Sequence, residues 1–171
     1  MSDIGPGAIG NPVTTIPGVL VHVHGRGLLL TGESGIGKSE TALLLLDRGH
    51  QLVADDAVEL RVEAGRLCGR AATALAGQLE IRGIGPCSVA ALFGPQALRQ
   101  EAPVDLILNL SHPAHWAEWP RLAPRQDQTT LAGVQVRRLH LPVAPERPVG
   151  LLVEAVARLD VAQCLSGGLD P

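Results

Sequence analysis

The sequence predicts a single α/β domain in which a glycine-rich turn joins a buried strand to a helix. Residues 28–31 form a short, continuous apolar run, which is typical of a strand buried on both faces. Residues 38–48, after the turn, have the composition of a helix, with Gly49 at its C-terminal end. The length of 171 residues is typical of one domain, and the apolar fraction of 46% is ordinary for a globular protein.

The other elements follow from the spacing of apolar residues. Alternating or apolar runs predict further strands at residues 18–24, 51–54, 58–62, 66–69, 104–110 and 133–142. Apolar residues at helical spacing predict a C-terminal helix over residues 149–165. Residues 71–94 are less regular, and residues 111–125 are predicted to be a loop. Residues 1–15 are rich in Gly and Pro and predict a flexible lead-in to a domain of residues 16–171.

The composition excludes several classes of protein. A net charge of -3 gives no basic field for nucleic acid, and one Phe, two Trp and no Tyr leave few base-stacking side chains. The sequence has neither a signal peptide nor an apolar run of membrane-spanning length, so we expect a cytoplasmic protein without membrane contact. A disulfide framework or a cysteine-based zinc site is not expected, because the cysteines are odd in number and widely spaced: Cys68, Cys87 and Cys164.

The strongest motif is a P-loop. The pattern G-x-x-x-x-G-K-[ST] is matched in full by Gly32, Glu33, Ser34, Gly35, Ile36, Gly37, Lys38 and Ser39. Glycines let successive backbone N–H groups point at phosphate oxygens, and the start of the following helix adds its positive dipole end. Lys38 is expected to reach the β- and γ-phosphates, and the Ser39 hydroxyl is expected to bind Mg²⁺. The cofactors predicted by this motif are ATP and Mg²⁺.

The use of basic residues supports this interpretation. Thirteen of the 14 basic residues are Arg, and Lys38 is the single lysine of the sequence. A compact ammonium on a flexible stem is therefore kept where a P-loop needs it. A regulatory GTPase would need a second lysine in an N-K-x-D motif, so the sequence excludes that class.

Two adjacent carboxylates follow the predicted strand at residues 51–54. Asp55 and Asp56 lie close in sequence to the P-loop helix. Carboxylates in such a position can hold Mg²⁺ or accept the proton of an attacking hydroxyl. Because like charges close together differ in pKa, one of the pair is suited to act as a base.

In this order, the motifs resemble HPr kinase/phosphorylase. The matching segments are residues 32–43 (GESGIGKSETAL), 47–50 (DRGH), 52–56 (LVADD), 79–85 (LEIRGIG) and 92–94 (LFG). The resemblance covers residues 18 to 157. It implies a P-loop kinase domain resembling the phosphoenolpyruvate carboxykinase fold, with a mixed sheet and flanking helices.

The same resemblance implies an activity and its residues. Members of the family phosphorylate a seryl side chain of the small protein HPr, many reverse the reaction with inorganic phosphate, and they assemble as hexamers. Asp56 matches the catalytic base and Glu80 the second Mg²⁺ ligand, beside Ser39. Arg121 falls at a catalytic arginine, and Arg82 lies in the catalytic loop segment. We therefore expect Lys38, Asp56 and Arg121 to be catalytic, HPr or an HPr-like protein to be the partner, and the chain to form a homo-oligomer.

The sequence also departs from the family. The catalytic histidine of the family is replaced by Pro17, and a segment that is usually basic contains Glu146 before Arg147. His22 and His24 share one face of the next strand, and either could replace the missing histidine, although we expect both to be structural or exposed. The chain looks like a short form with the catalytic domain alone. These changes predict weak or absent phosphorylase activity, since a proline offers neither a charge nor an N–H to an incoming phosphate.

Two other functions remain open at this point. A P-loop kinase acting on a small molecule would need the same ATP site. A regulatory module that binds ATP without catalysis would not need Asp56 and Glu80 together with the P-loop.

Overall fold

The computed structural model describes residues 13–112, 114 and 124–159. Its strands are β1 (Thr14–Pro17), β2 (Val19–Val23), β3 (Arg26–Gly32), β4 (Gln51–Ala54), β5 (Ala57–Glu63), β6 (Arg66–Ala71), β7 (Gln78–Ile81), β8 (Gly85–Ser88), β9 (Glu101–Pro103), β10 (Leu106–Ser111), β11 (Gln126–Leu131) and β12 (Val134–Pro142). Its α-helices are α1 (Lys38–Asp47), α2 (Val89–Phe93) and α3 (Val149–Arg158).

The main sheet has six strands in the order β11-β12-β10-β3-β2-β4. β10 pairs in parallel with both β3 and β12, whereas β2 pairs antiparallel with β3 and β4. The sheet is therefore mixed, as predicted. The parallel strands end together at one edge, and this edge carries the P-loop.

The domain has three layers. Successive residues of β2 and β3 alternate between two cores, because side chains along a strand point to opposite faces. Val21, Leu28 and Leu30 pack with α1 and α3 on one face of the main sheet. Leu20 and Leu29 pack on the other face against a second sheet of four strands, in the order β1-β5-β6-β9. Both faces of the central strands are buried, which explains their continuous apolar runs.

The chain passes between the two sheets at two adjacent points. Gly18 separates β1 of the second sheet from β2 of the main sheet, and residues 55–56 separate β4 from β5. The Gly18 N–H donates to the Asp56 carbonyl at 3.1 Å, which ties the two crossings together. Asp56 has a φ of 67°, in the left-handed region that lets the chain turn sharply.

Several elements differ from the sequence predictions. The helix predicted for residues 149–165 ends at Arg158, because Leu159 has extended backbone angles, and residues 160–165 lie outside the described part. β1 begins at Thr14, inside the segment predicted as a lead-in. The pair β7–β8, helix α2 and strand β11 were not predicted. Among the described residues, no helix is long and apolar enough to cross a membrane.

Candidate active site

The P-loop leaves β3 at Gly32 and enters α1 at Lys38. Gly32 has a φ of 133°, and a Cβ atom at this position would lie 2.4 Å from the carbonyl oxygen of Leu110 in β10. Only glycine allows this close approach of the loop to the neighbouring strand. The first N–H groups of α1 have no carbonyl acceptor within the helix, so they are available to an anion.

Lys38 lies across the loop. Its Nζ atom donates to the carbonyl oxygens of Gly32 and Glu33, at 2.8 and 2.9 Å. An ammonium group has three N–H donors, so one remains for a phosphate oxygen bound in the loop. The two carbonyl contacts hold the charge at the mouth of the loop, where a triphosphate would bring its negative charge.

Asp55 is the buried member of the carboxylate pair, with 5% of its surface exposed. Its Oδ1 atom accepts a hydrogen bond from the Ser39 hydroxyl at 2.9 Å, and its Oδ2 atom accepts one from the Glu80 backbone N–H at 2.8 Å. Burial raises the pKa of Asp55, and these two hydrogen bonds oppose the increase. Asp55 therefore connects the P-loop helix to strand β7.

Asp56 is exposed and lines an open cleft beside the P-loop. Its backbone is held at a φ of 67° between β4 and β5. The two adjacent aspartates therefore have different surroundings. Asp55 is fixed by hydrogen bonds, whereas Asp56 presents a carboxylate to the cleft.

β7 brings a second pair of charged side chains to the cleft. Glu80 and Arg82 are both exposed and line it. A Cβ atom at Gly35 would lie 3.0 Å from a guanidinium nitrogen of Arg82, so this side chain lies directly over the P-loop. A guanidinium in this position can pair with phosphate oxygens.

These groups surround one open cleft of about 580 Å³. Its walls combine the P-loop, the aspartate pair, the β7 segment and the crossing before β2. The residues that line the cleft include Pro17, Lys38, Ser39, Asp55, Asp56, Glu80 and Arg82.

A second cavity of about 270 Å³ lies on the other side of the P-loop, at the ends of β3, β10 and β12. Asn109 lines this cavity and makes several hydrogen bonds there. The Asn109 Oδ1 atom accepts from the Thr31 hydroxyl at 3.1 Å, and its Nδ2 atom donates to the Ser111 hydroxyl at 3.1 Å. Nδ2 also lies 3.2 Å from Nδ1 of His140, whose Nε2 atom is 3.3 Å from a carboxylate oxygen of Asp127. This cavity offers hydroxyl, amide and imidazole groups beside the phosphate site.

The structure brings most of the predicted site residues together. Asp56, Glu80 and six of the eight P-loop residues border one cleft. The other two do not line it: Glu33 lines the second cavity, and Ile36 packs against the core. Arg121 lies outside the described residues, so its predicted role stays a prediction. The position of Arg82 over the P-loop was missed, since only the pairing of β7 with β8 and the fold around Asp55 place it there. The second cavity was missed for a similar reason, because its residues come from three separate strands.

Comparisons with known proteins find similar chains. Residues 11–166 match the family described as HPr Serine kinase C-terminal domain. The HPr kinase/phosphorylase of Clostridium perfringens is 42% identical over 146 residues, and that of Clostridium tetani is 41% identical over the same length. Each alignment covers 85% of this chain and 48% of the relative, so the chain spans about half the length of these curated relatives.

A solved structure has the same fold. The Hpr(Ser) kinase/phosphatase from Coxiella burnetii superposes with a TM-score of 0.79 at 35% sequence identity. The superposition covers 85% of this chain and 88% of that one.

Proposed function

The chain belongs to the family of HPr serine kinase C-terminal domains, and from this we propose that it is an ATP-dependent protein kinase that phosphorylates a seryl residue of HPr or an HPr-like protein. The observation that carries the proposal is the convergence of three groups on one cleft: the P-loop with Lys38, the aspartate pair, and Glu80 with Arg82. Phosphoryl transfer needs such an arrangement, because it depends on positioning and charge stabilisation.

The donor set in the cleft fits Mg²⁺. The Ser39 hydroxyl and the carboxylates of Asp55 and Glu80 supply only oxygen ligands, which Mg²⁺ prefers. Asp55 is a buried carboxylate, and its burial raises its pKa. In the proposal, Ser39 and Glu80 hold the ion, and Asp55 orients the Ser39 hydroxyl. The ion would neutralise charge on the β- and γ-phosphates of ATP.

Each charged residue of the cleft is proposed to have its own role in phosphoryl transfer. Asp56 is the exposed carboxylate, so an acceptor serine can reach it and give up its proton there. Lys38 holds the transferred phosphoryl group with its remaining N–H donor. Arg82, which lies over the P-loop, balances the charge that develops on that group, and Arg121 is proposed to assist.

The second cavity is proposed to receive the nucleoside. The proposed Mg²⁺ ligands lie on the β4 side of the P-loop. The ribose and base would therefore bind on the β10 side, where Asn109, Ser111 and His140 offer hydrogen bonds. In this arrangement the triphosphate spans the P-loop from one cavity to the other.

The reverse reaction is proposed to be slow or absent. Pro17 lines the cleft at the position of the family histidine, and it offers an attacking phosphate neither a charge nor an N–H. Arg147 is not among the described residues that line the cleft. Glu146, the residue before Arg147, is exposed and adds negative charge to that segment.

We also propose a hexamer, as in the family. The C-terminal helix α3 is amphipathic, with one apolar face. Most of that face is buried within the chain, because Val149, Val153 and Ala157 pack in the core that includes α1. Leu151 of α3 and Leu44 of α1 remain more than half exposed and are the apolar residues of these helices that a neighbouring subunit could cover.

The kinase proposal is tested with purified chain, ATP, Mg²⁺ and HPr. Mass spectrometry should find phosphate on a serine of HPr, and Asp56→Asn should reduce transfer by about 10²-fold or more, the scale of losing a general base. Asp47→Asn, which removes an exposed carboxylate at the other end of α1, is the matched control and should retain full activity. Transfer to a small molecule but to no protein would refute the protein kinase assignment.

A further inference from the structure

A cluster of three metal-binding side chains lies away from the cleft, at the C-terminal end of α1. His24 is in the turn between β2 and β3, His50 follows α1, and Glu154 is in α3. α1 has 10 residues, so its length places the cluster about 15 Å from the P-loop end of the helix. The three ligand atoms, two imidazole nitrogens and a carboxylate oxygen, lie within 4.8 Å of one another.

The backbone holds His24 in an unusual conformation. His24 has a φ of 46° and Gly25 a φ of 80°, which is the pattern of a two-residue hairpin turn with both residues left-handed. Asn, Asp or Gly usually occupy the first of these positions. In this protein His24 occupies the first position, and its ring packs edge-on against that of His50, with ring centroids 4.6 Å apart and ring planes at 78°.

The carboxylate of the cluster is buried and ionised. The Glu154 side chain is 8% exposed, and its Oε1 atom lies 2.7 Å from Nε2 of His50. Its other oxygen, Oε2, pairs with Arg48 at 2.6 Å. Hydrogen bonds from Arg48 and then from His50 lower the pKa of Glu154 to about 2. Arg48 therefore occupies one oxygen and leaves the other facing the two histidines.

The imidazole of His24 accepts a hydrogen bond from an arginine. Its Nε2 atom accepts a hydrogen bond from Nε of Arg158 at 3.1 Å, so this nitrogen carries no proton. Loss of hydration, and then the charge of Arg158, lower the pKa of His24. A neutral imidazole is the form that binds a metal ion. Arg158 is exposed and at the end of α3, so it can move aside.

We propose that His24, His50 and Glu154 form a binding site for a divalent transition metal, with Zn²⁺ the best fit. Two imidazoles and one carboxylate oxygen suit Zn²⁺, whereas Mg²⁺ takes oxygen ligands. Ligands of tetrahedral Zn²⁺ are roughly 3.3 Å apart, given bonds of about 2.0–2.1 Å, so small side-chain shifts bring the three atoms to this spacing. Arg48 would stay on Oε2 and orient the carboxylate, as partners of metal ligands commonly do.

Such an ion would join three elements that are otherwise linked here by hydrogen bonds. The β2–β3 turn, the end of α1 and helix α3 would be fixed to one centre. The site is separate from the ATP cleft, and its occupancy does not depend on the kinase proposal. Binding to the folded chain alone should raise the midpoint of thermal unfolding as the Zn²⁺ concentration increases.

The test uses the full chain, freed of metal with a chelator, without nucleotide and with excess Mg²⁺. Isothermal titration with Zn²⁺ should show one site per chain. His24→Asn keeps a residue that tolerates the left-handed turn, and His50→Gln keeps a donor for Glu154, so both variants should fold. Each should weaken Zn²⁺ binding by about 10-fold or more, the lower end of losses seen even for residues behind a metal ligand.

The matched control is His22→Gln, which removes an imidazole two residues from His24 but outside the cluster. It should bind Zn²⁺ like the unchanged chain. Co²⁺ gives a second measurement, since its visible absorption should show tetrahedral coordination in the unchanged chain and lose this signature in His24→Asn. Failure of the unchanged chain to bind Zn²⁺, or equal binding by all three variants, would overturn the proposal.

Discussion

Replacing Lys38 by alanine should weaken the binding of Mg–ATP by about 10- to 150-fold. Two of its N–H donors already contact the carbonyls of Gly32 and Glu33, at 2.8 and 2.9 Å, which leaves one for a phosphate oxygen. A hydrogen bond to a charged group contributes about 1.5–3 kcal/mol. This free energy corresponds to a 10- to 150-fold change in Kd.

The same substitution should change stability little. The Glu33 carbonyl also accepts a hydrogen bond from the Ile36 N–H at 3.2 Å, and the Lys38–Glu33 contact is exposed. Water can therefore replace the ammonium, and the loss should stay below about 1 kcal/mol. Weak binding with an unchanged unfolding midpoint would separate a role in phosphate binding from a role in folding.

The measurement is isothermal titration with Mg–ATP at constant ionic strength. Lys38→Arg keeps the charge but replaces the flexible ammonium by a planar fork, so we expect intermediate affinity. Arg70→Ala removes a positive charge from β6, where Arg70 pairs with Glu59, and controls for net charge. Equal ATP affinity in Lys38→Ala and the unchanged chain would refute the reasoning.

Four further outcomes follow from the structure. Asp55→Asn should raise the unfolding midpoint at pH 7, because the raised pKa of Asp55 means that its ionised form destabilises the fold above that pKa. The difference should shrink toward pH 4 in a series of thermal scans, and Mg–ATP binding should weaken; a lower midpoint at pH 7 would contradict this. Gly32→Ala should cost about 1–3 kcal/mol in urea unfolding, because its left-handed φ is strained for alanine and the new Cβ would meet the Leu110 carbonyl; a neutral result would show that the loop relaxes to remove both. Glu154→Gln should destabilise the chain at pH 7, and the loss should disappear between about pH 4.5 and pH 2, where the wild-type carboxylate also becomes protonated; a loss independent of pH would point to packing instead. Phosphorylated acceptor incubated with phosphate and Mg–ADP should keep its phosphate, whereas rapid release with pyrophosphate would show that Pro17 does not prevent the reverse reaction.

Much of the main sheet could be predicted from the sequence. β3, α1 and β4 follow from an apolar run, a glycine-rich turn and a second apolar run, and these signals are local. β11 could not be predicted in this way, since Gln126–Leu131 is mostly polar and pairs with β12 at the edge of the sheet. The pair β7–β8 contains Gly85 and Pro86, which normally interrupt strands. Such elements depend on tertiary pairing.

The site shows the same division. The P-loop, Asp56 and Glu80 were identified from motifs, and the structure places them around one cleft. The burial of Asp55 and the position of Arg82 over Gly35 depend on how separate segments meet. A sequence pattern can therefore name groups that line the cleft, whereas it does not show which of two adjacent aspartates is buried and which is exposed.

The paired crossings between the two sheets have a consequence for how the chain can vary. The crossing at Gly18 is one residue long, and the crossing at Asp55–Asp56 is two residues long. A hydrogen bond joins them, so neither can lengthen without moving the two sheets apart. An insertion at either point would push the second sheet away from the main sheet and carry Asp56 off the P-loop. The tip of the β5–β6 hairpin at Ala64 and Gly65 is exposed and far from both crossings in sequence. Homologues that gain extra residues, or fusions that insert a second protein, should therefore carry them at that tip, where chain length can change without altering the spacing of the residues that line the cleft.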